Sequence, residues 1–164
     1  MKIRAKRKMV NKIKAIEIKN YIGKEFVTKW YHVTQEAINK FADLTKDHQY
    51  IHINPERAKH SMYGKTVAHG FFVLSMLGFF TLQDGERDLM QFYITDAKGI
   101  VNYGFDKIRF ISAVPVGSFI RDVSYISKVE LVEKGMKFTS HHKIEIKGQE
   151  TPAVVADWIN LLIL

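Results

Sequence analysis

From Thr34 to Leu44 the apolar residues Ala37, Ile38, Phe41, Ala42 and Leu44 recur at helical spacing and make one stripe. Thr34 is a good N-cap, and Glu36 places negative charge in the first turn, where the helix end favours it. Asn54-Pro55-Glu56 predicts another helix start, with Asn54 as cap and Pro55 at the first helical position. From Gly70 to Leu82 the apolar residues surround the helix, which predicts burial on all sides. Beyond it the pattern changes. YGFDKIRFIS, GSFIRDVSYISKVELVE, MKFTSHHKIEIK and PAVVADWINLLIL alternate or are rich in β-branched residues, and Gly117, Gly135 and Gly148 mark turns between them. This predicts a meander of long antiparallel strands. An apolar helix followed by such a meander implies an α+β arrangement, with the sheet curled around a central helix. At the front, Met9, Ile13, Ile16 and Ile18 give a weak helical period before a turn at Gly23.

Composition narrows the class. A chain of 164 residues, 46% hydrophobic and 26% charged, fits one globular domain with a real core. The reading is a basic, helical segment over residues 1–20 and a single domain over 21–164. There is no cysteine, so disulfides, thiolate catalysis and zinc–sulfur sites are excluded. The net charge is +8, much of it in MKIRAKRKMVNKIK. A basic arm can bind nucleic acid, but no aromatic–basic interleaving or DNA-reading motif accompanies it, so a solvated helix face is the preferred reading. The positive charge would also suit a ligand with several phosphates. The apolar run VAHGFFVLSMLGFFTL is too short to span a bilayer comfortably and contains His69, Gly70 and Gly78. No apolar stretch follows the basic start as in a signal peptide. A cytoplasmic, non-membrane protein is the expectation.

The candidate chemistry lies in TKDHQYIHINPERA, residues 45–58. Asp47 and His52 could converge across this short loop. A carboxylate and an imidazole together can hold and deprotonate a water. The same residues also read as a turn cap and a hydrogen-bonded histidine. A metal reading would use His48 and His52 with Asp47 or His69. However, Asn54-Pro55 predicts that residues 48–52 are not helical, and the HExxH pattern is absent, so no metal is assigned. Gly70 stands where the apolar helix begins. Its backbone N–H lacks a partner within the helix and could polarise a thioester carbonyl, or the glycine could serve tight packing alone. His141 and His142, on a predicted strand, face opposite sides. Phe71, Phe72, Phe79 and Phe80 read as core rather than as an acyl tunnel.

FADLTKDHQYIHINPERA followed by GKTVAHGFFVLSML resembles the signature of MaoC-like dehydratases, the (R)-specific enoyl-CoA hydratases with a hot-dog fold. Their usual pattern is a D-x-N-x-x-H loop, then H-G at the start of the central helix. DHQYIH is closer to the NodN-like branch, as are NYGFDKIRFISAVPVGSFIRD and PAVVADW. The resemblance runs from Val33 to Trp158. It implies a sheet wrapped around a long central helix and a homodimer. It also implies hydration or dehydration of a 2-enoyl or 3-hydroxyacyl thioester of CoA or an acyl carrier protein, without cofactor. Asp47 matches the general base, His52 shares the water, and the Gly70 N–H serves as oxyanion donor. Gln49 stands where hydratases carry Asn, and Tyr50 where they often carry Pro. Gln49, His69, Tyr103 and Arg109 are the substrate-side candidates, Arg109 for CoA phosphates or for a structural ion pair. A thioesterase and a non-catalytic acyl-CoA-binding protein are the alternatives.

Overall fold

The computed structural model describes residues 11–82, 92–94, 96–133 and 135–164. Strand β1 (Asn11–Ile13) is followed by a 3-10 helix (Ala15–Tyr21) and strands β2 (Glu25–Val27) and β3 (Tyr31–His32). Of the helix expected near the front, residues 11–13 are strand and 15–21 form the 3-10 helix; residues 1–10 lie outside the described residues.

Helix α1 (Gln35–Thr45) starts where its cap predicts: the Thr34 hydroxyl accepts the N–H of Ala37 at 3.2 Å. Ile38 and Ala42 are fully buried, while Lys46, in the left-handed conformation at φ 64°, ends the helix. Two single turns follow, α2 (Tyr50–Ile53) and α3 (Pro55–Ala58). The expectation that residues 48–52 are non-helical holds for His48 and Gln49 and is corrected for 50–52, which lie in α2. The chain completes one turn before the Asn54 side chain caps the next by accepting the Arg57 N–H at 3.0 Å.

Helix α4 (Gly70–Leu82) buries Phe72, Val73, Met76, Leu77 and Phe80 against the sheet, together with Ile120, Ile144, Val154 and Ala156. Burial on all sides does not hold within one chain. Phe71 is 68% exposed and Phe79 41%. At 100° per residue, position 71 lies opposite the buried stripe and position 79, about 80° round from position 71, lies at the edge of that stripe, where the Phe79 ring meets that of Tyr31 on β3 at 5.3 Å. A helix apolar all round does not reveal which face its own sheet will take.

Strands β4 (Phe92–Ile94), β5 (Gly99–Phe110), β6 (Phe119–Val132), β7 (Gly135–Ile146) and β8 (Val154–Ile163) complete the fold. β1 pairs with β4 in parallel, while the main antiparallel sheet has the order β2-β6-β7-β8-β5, with β3 also on β6. The expected meander holds for β6 to β8. β5 instead pairs with β8 on the far side, so residues 111–118 cross from one part of the sheet to another. On the way this crossing runs antiparallel to residues 66–68: Ala68 N–H donates to Val114, and Val116 N–H to Thr66. That ladder holds the segment leading into α4. Among the described residues no helix is long and apolar enough to cross a membrane.

Candidate active site

The site forms where the α1–α2 loop meets the start of α4. His52, on α2, is buried and its Nδ1 lies 2.7 Å from the carbonyl of Val67. A carbonyl can only accept, so Nδ1 carries the proton and Nε2 the lone pair. His69, also buried, directs Nε2 at the main-chain carbonyl of Asp47, 2.9 Å away. By the same reasoning its Nδ1 is the unprotonated nitrogen. That atom is buried and has no hydrogen-bond partner among the described residues. The two imidazoles stack, centroids 3.7 Å apart and planes 27° apart. Asp47 is half-buried, and one donor atom from each of Asp47, His52 and His69 lies within 4.8 Å of the other two.

Burial pushes the His52 pKa below the usual histidine value, His69 adds to that, and the Val67 bond and the Asp47 charge oppose it. His52 is thus a neutral imidazole near neutral pH, with Nε2 free to accept a proton. Two imidazoles and a carboxylate are also donors a divalent cation can take, and each imidazole has its second nitrogen tied to a carbonyl, as metal-bound histidines do. His48 is not in the group: it is exposed, with Nε2 2.9 Å from Asp43 on α1.

Gly70 follows His69 directly and opens α4, whose first N–H groups have no acceptor within the helix. A Cβ on Gly70 would meet the ring of Phe110 at 2.9–3.3 Å. A side chain here would require the half-exposed Phe110 ring to shift. Of the other substrate-side candidates, Gln49 is exposed and acts through its main chain, whose carbonyl accepts the His52 N–H at 2.9 Å. Tyr103 is 64% exposed on β5. Arg109 is exposed too and donates to the Ile108 carbonyl at 2.7 Å. Among the described residues no hydrogen bond or ion pair joins either to the Asp47–His52–His69 group.

Three participants escape sequence reasoning: Val67, Phe110 and Gln35. The Val67 contribution is a carbonyl, which every residue has. Phe110 reads as one more strand aromatic. Gln35 follows an N-cap and belongs to no motif.

The MaoC like domain profile matches residues 17–147. The 3-hydroxyacyl-thioester dehydratase Z of Mycobacterium tuberculosis is 40% identical over 134 residues, 79% of this chain and 82% of that protein. The chain belongs to the MaoC-like dehydratase family. Nodulation protein N of Rhizobium meliloti is a further relative of this MaoC-like chain, 35% identical over 92% of it and 91% of the relative. Among solved structures, the monoamine oxidase regulatory protein from Archaeoglobus fulgius superimposes with a TM-score of 0.76 at 23% identity, covering 95% of this chain and 99% of that one. This last likeness concerns the fold, the hot-dog arrangement of an antiparallel sheet with its helix.

Proposed function

We propose that this MaoC-like protein adds water to, or removes it from, the double bond of a 2-enoyl/3-hydroxyacyl thioester. The observation that carries the reading is the fixed tautomer of His52: Nδ1–H is committed to Val67, leaving Nε2 as an acceptor on a ring that has one nitrogen within 4.8 Å of an Asp47 carboxylate oxygen. In hydration, Asp47 and His52 Nε2 hold the water, and Asp47 takes its proton as the oxygen bonds to the β-carbon. The electrons of the double bond move toward the thioester oxygen, where the Gly70 N–H stabilises the enolate. Asp47 then passes the proton it took to the α-carbon, which completes the addition and leaves the carboxylate as it began. Dehydration is the reverse. Gln49, His69, Tyr103 and Arg109 are assigned to the substrate side, and the carrier is CoA or an acyl carrier protein. The functional unit is a homodimer in the cytoplasm. The name of the mycobacterial relative, a dehydratase of 3-hydroxyacyl thioesters, supports the same reaction class.

A panel of enoyl thioesters differing in chain length and carrier, followed by loss of the enoyl-thioester absorbance, tests this. Asp47→Asn and His52→Gln should each lower kcat by about 100-fold or more while circular dichroism stays native. Unchanged turnover in either folded variant overturns the assignment. Free thiol release would assign hydrolysis instead, and binding without turnover a non-catalytic module.

A further inference from the structure

Gln35 has nothing to offer the water itself, yet its side chain reaches three places around the site. Nε2 donates to the main-chain carbonyl of His52 at 2.7 Å and to Oδ1 of Asn39 at 2.8 Å. Oε1 accepts the hydroxyl of Thr66 at 2.5 Å. Both N–H donors and a lone pair are used. Thr66 is fully buried and directly precedes Val67, whose carbonyl holds the Nδ1–H of His52. The contacts close a ring: Gln35 to the His52 carbonyl, His52 Nδ1 to Val67, back along the chain to Thr66, and Thr66 to Gln35. The N–H of Val67 also donates to Ile51 at 3.0 Å, so α2 and residues 66–67 already touch. Gln35 ties that contact to α1, the helix that leads into the loop carrying Asp47.

We infer that Gln35 is the positioning residue that sets the tautomer of His52. It does so by fixing the distance between α2 and the Val67 carbonyl. This rests on the hydration reading for its effect on rate, but not for its effect on the imidazole. If the amide is lost, the His52 carbonyl and the Thr66 hydroxyl must find other partners. The Val67 carbonyl is then no longer held opposite Nδ1. A His52 population protonated at Nε2 would present N–H, rather than a lone pair, to the water.

The test uses the full chain with 15N-labelled histidine. Gln35→Met keeps the length of the side chain without the amide, Thr66→Val removes the hydroxyl, and Thr66→Ser keeps it. In the parent protein His52 should be protonated at Nδ1 alone. In Gln35→Met the ring nitrogens should report mixed tautomers, and kcat should fall about 10–100-fold, the range of outer partners that orient a functional imidazole. KM should stay within about twofold, because binding is not what is lost. Thr66→Val should move both readouts the same way and Thr66→Ser neither. The double variant should be no worse than Gln35→Met, since Gln35→Met already removes the bond that Thr66→Val removes. His52 still protonated solely at Nδ1 in folded Gln35→Met, or in folded Thr66→Val should the first not fold, overturns the inference. So does a kcat loss that matches the loss of folded protein. If the parent shows no hydration at all, the proposed function fails, and the tautomer measurement still decides the role of Gln35.

Discussion

The imidazoles of His52 and His69 stack at 3.7 Å, and both are buried. Burial above all, with His69 adding to it, keeps His52 neutral against the Val67 bond and the pull of Asp47. The sign of the pH dependence follows. Activity needs the Nε2 lone pair, so it is present above the His52 pKa and lost as pH falls through it. Because that pKa is lowered, the acidic limb of kcat/KM should lie below the ordinary histidine value of about 6.5. A limb at or above that value counts against His52 as the titrating group. Stability runs the same way. Below about 6.5 the unfolded chain takes up a proton that folded His52 refuses, so stability falls with pH until the folded pKa is reached. Gly70 gives a second residue-scale expectation. Gly70→Ala places a methyl against the half-exposed ring of Phe110, which must shift to admit it, so it should destabilise by no more than about 1 kcal/mol. Phe110→Ala in the same chain should recover part of that loss, as thermal unfolding of the two singles and the double would show.

At the scale of elements, helix starts were the most legible features. Thr34 and Asn54 cap through their own side chains, so the chemistry that forms the element is written at its first residue. The identity of strands β5 to β8 was legible from alternation, while β1 was read as helix and β2 to β4 were not read; strand order was not legible either, because the pairing of β5 with β8 is a contact between distant segments. A polar cluster on the inner face of the sheet was equally hidden. His141 and His142 do face opposite sides, and His142, fully buried, reaches Asp122 with Nδ1 at 2.9 Å and Ser140 with Nε2 at 2.8 Å. Nothing in the alternation of β6 and β7 distinguishes this from an apolar layer. Asp122→Ala should lose about 3–5 kcal/mol in urea unfolding, since it strands the histidine. Asp122→Val with His142→Leu should cost less than that single change, because both polar groups leave together.

At the scale of the whole molecule, aromatic side chains of the described residues are exposed beside the site. Phe71, Phe79 and Phe110 are 68%, 41% and 49% exposed, and the Phe71 and Phe110 rings meet edge to face at 5.5 Å. Exposed aromatics beside a site are the kind of surface that association covers. The proposed homodimer predicts a solution mass of twice 19.0 kDa by light scattering, and Phe71→Lys should shift it toward the monomer. A monomer at all concentrations in the parent protein would remove that part of the proposal.

The sequence by itself determined the helices with side-chain caps, strands β5 to β8 by their alternation, the family by its loop and H-G pattern, and Asp47, His52 and Gly70 as the candidates. These are local properties, carried by neighbouring residues. Only the tertiary structure decided which atoms meet. It brought His69 onto His52, left Tyr103 and Arg109 without a bond to the group, and left Phe71 and Phe79 exposed. It also supplied the Val67 carbonyl and the Gln35 amide that settle where the proton on His52 sits. Backbone carbonyls carry no sequence signature, and a hydrogen bond between residues 17 or 15 positions apart depends on how the intervening turns are laid down.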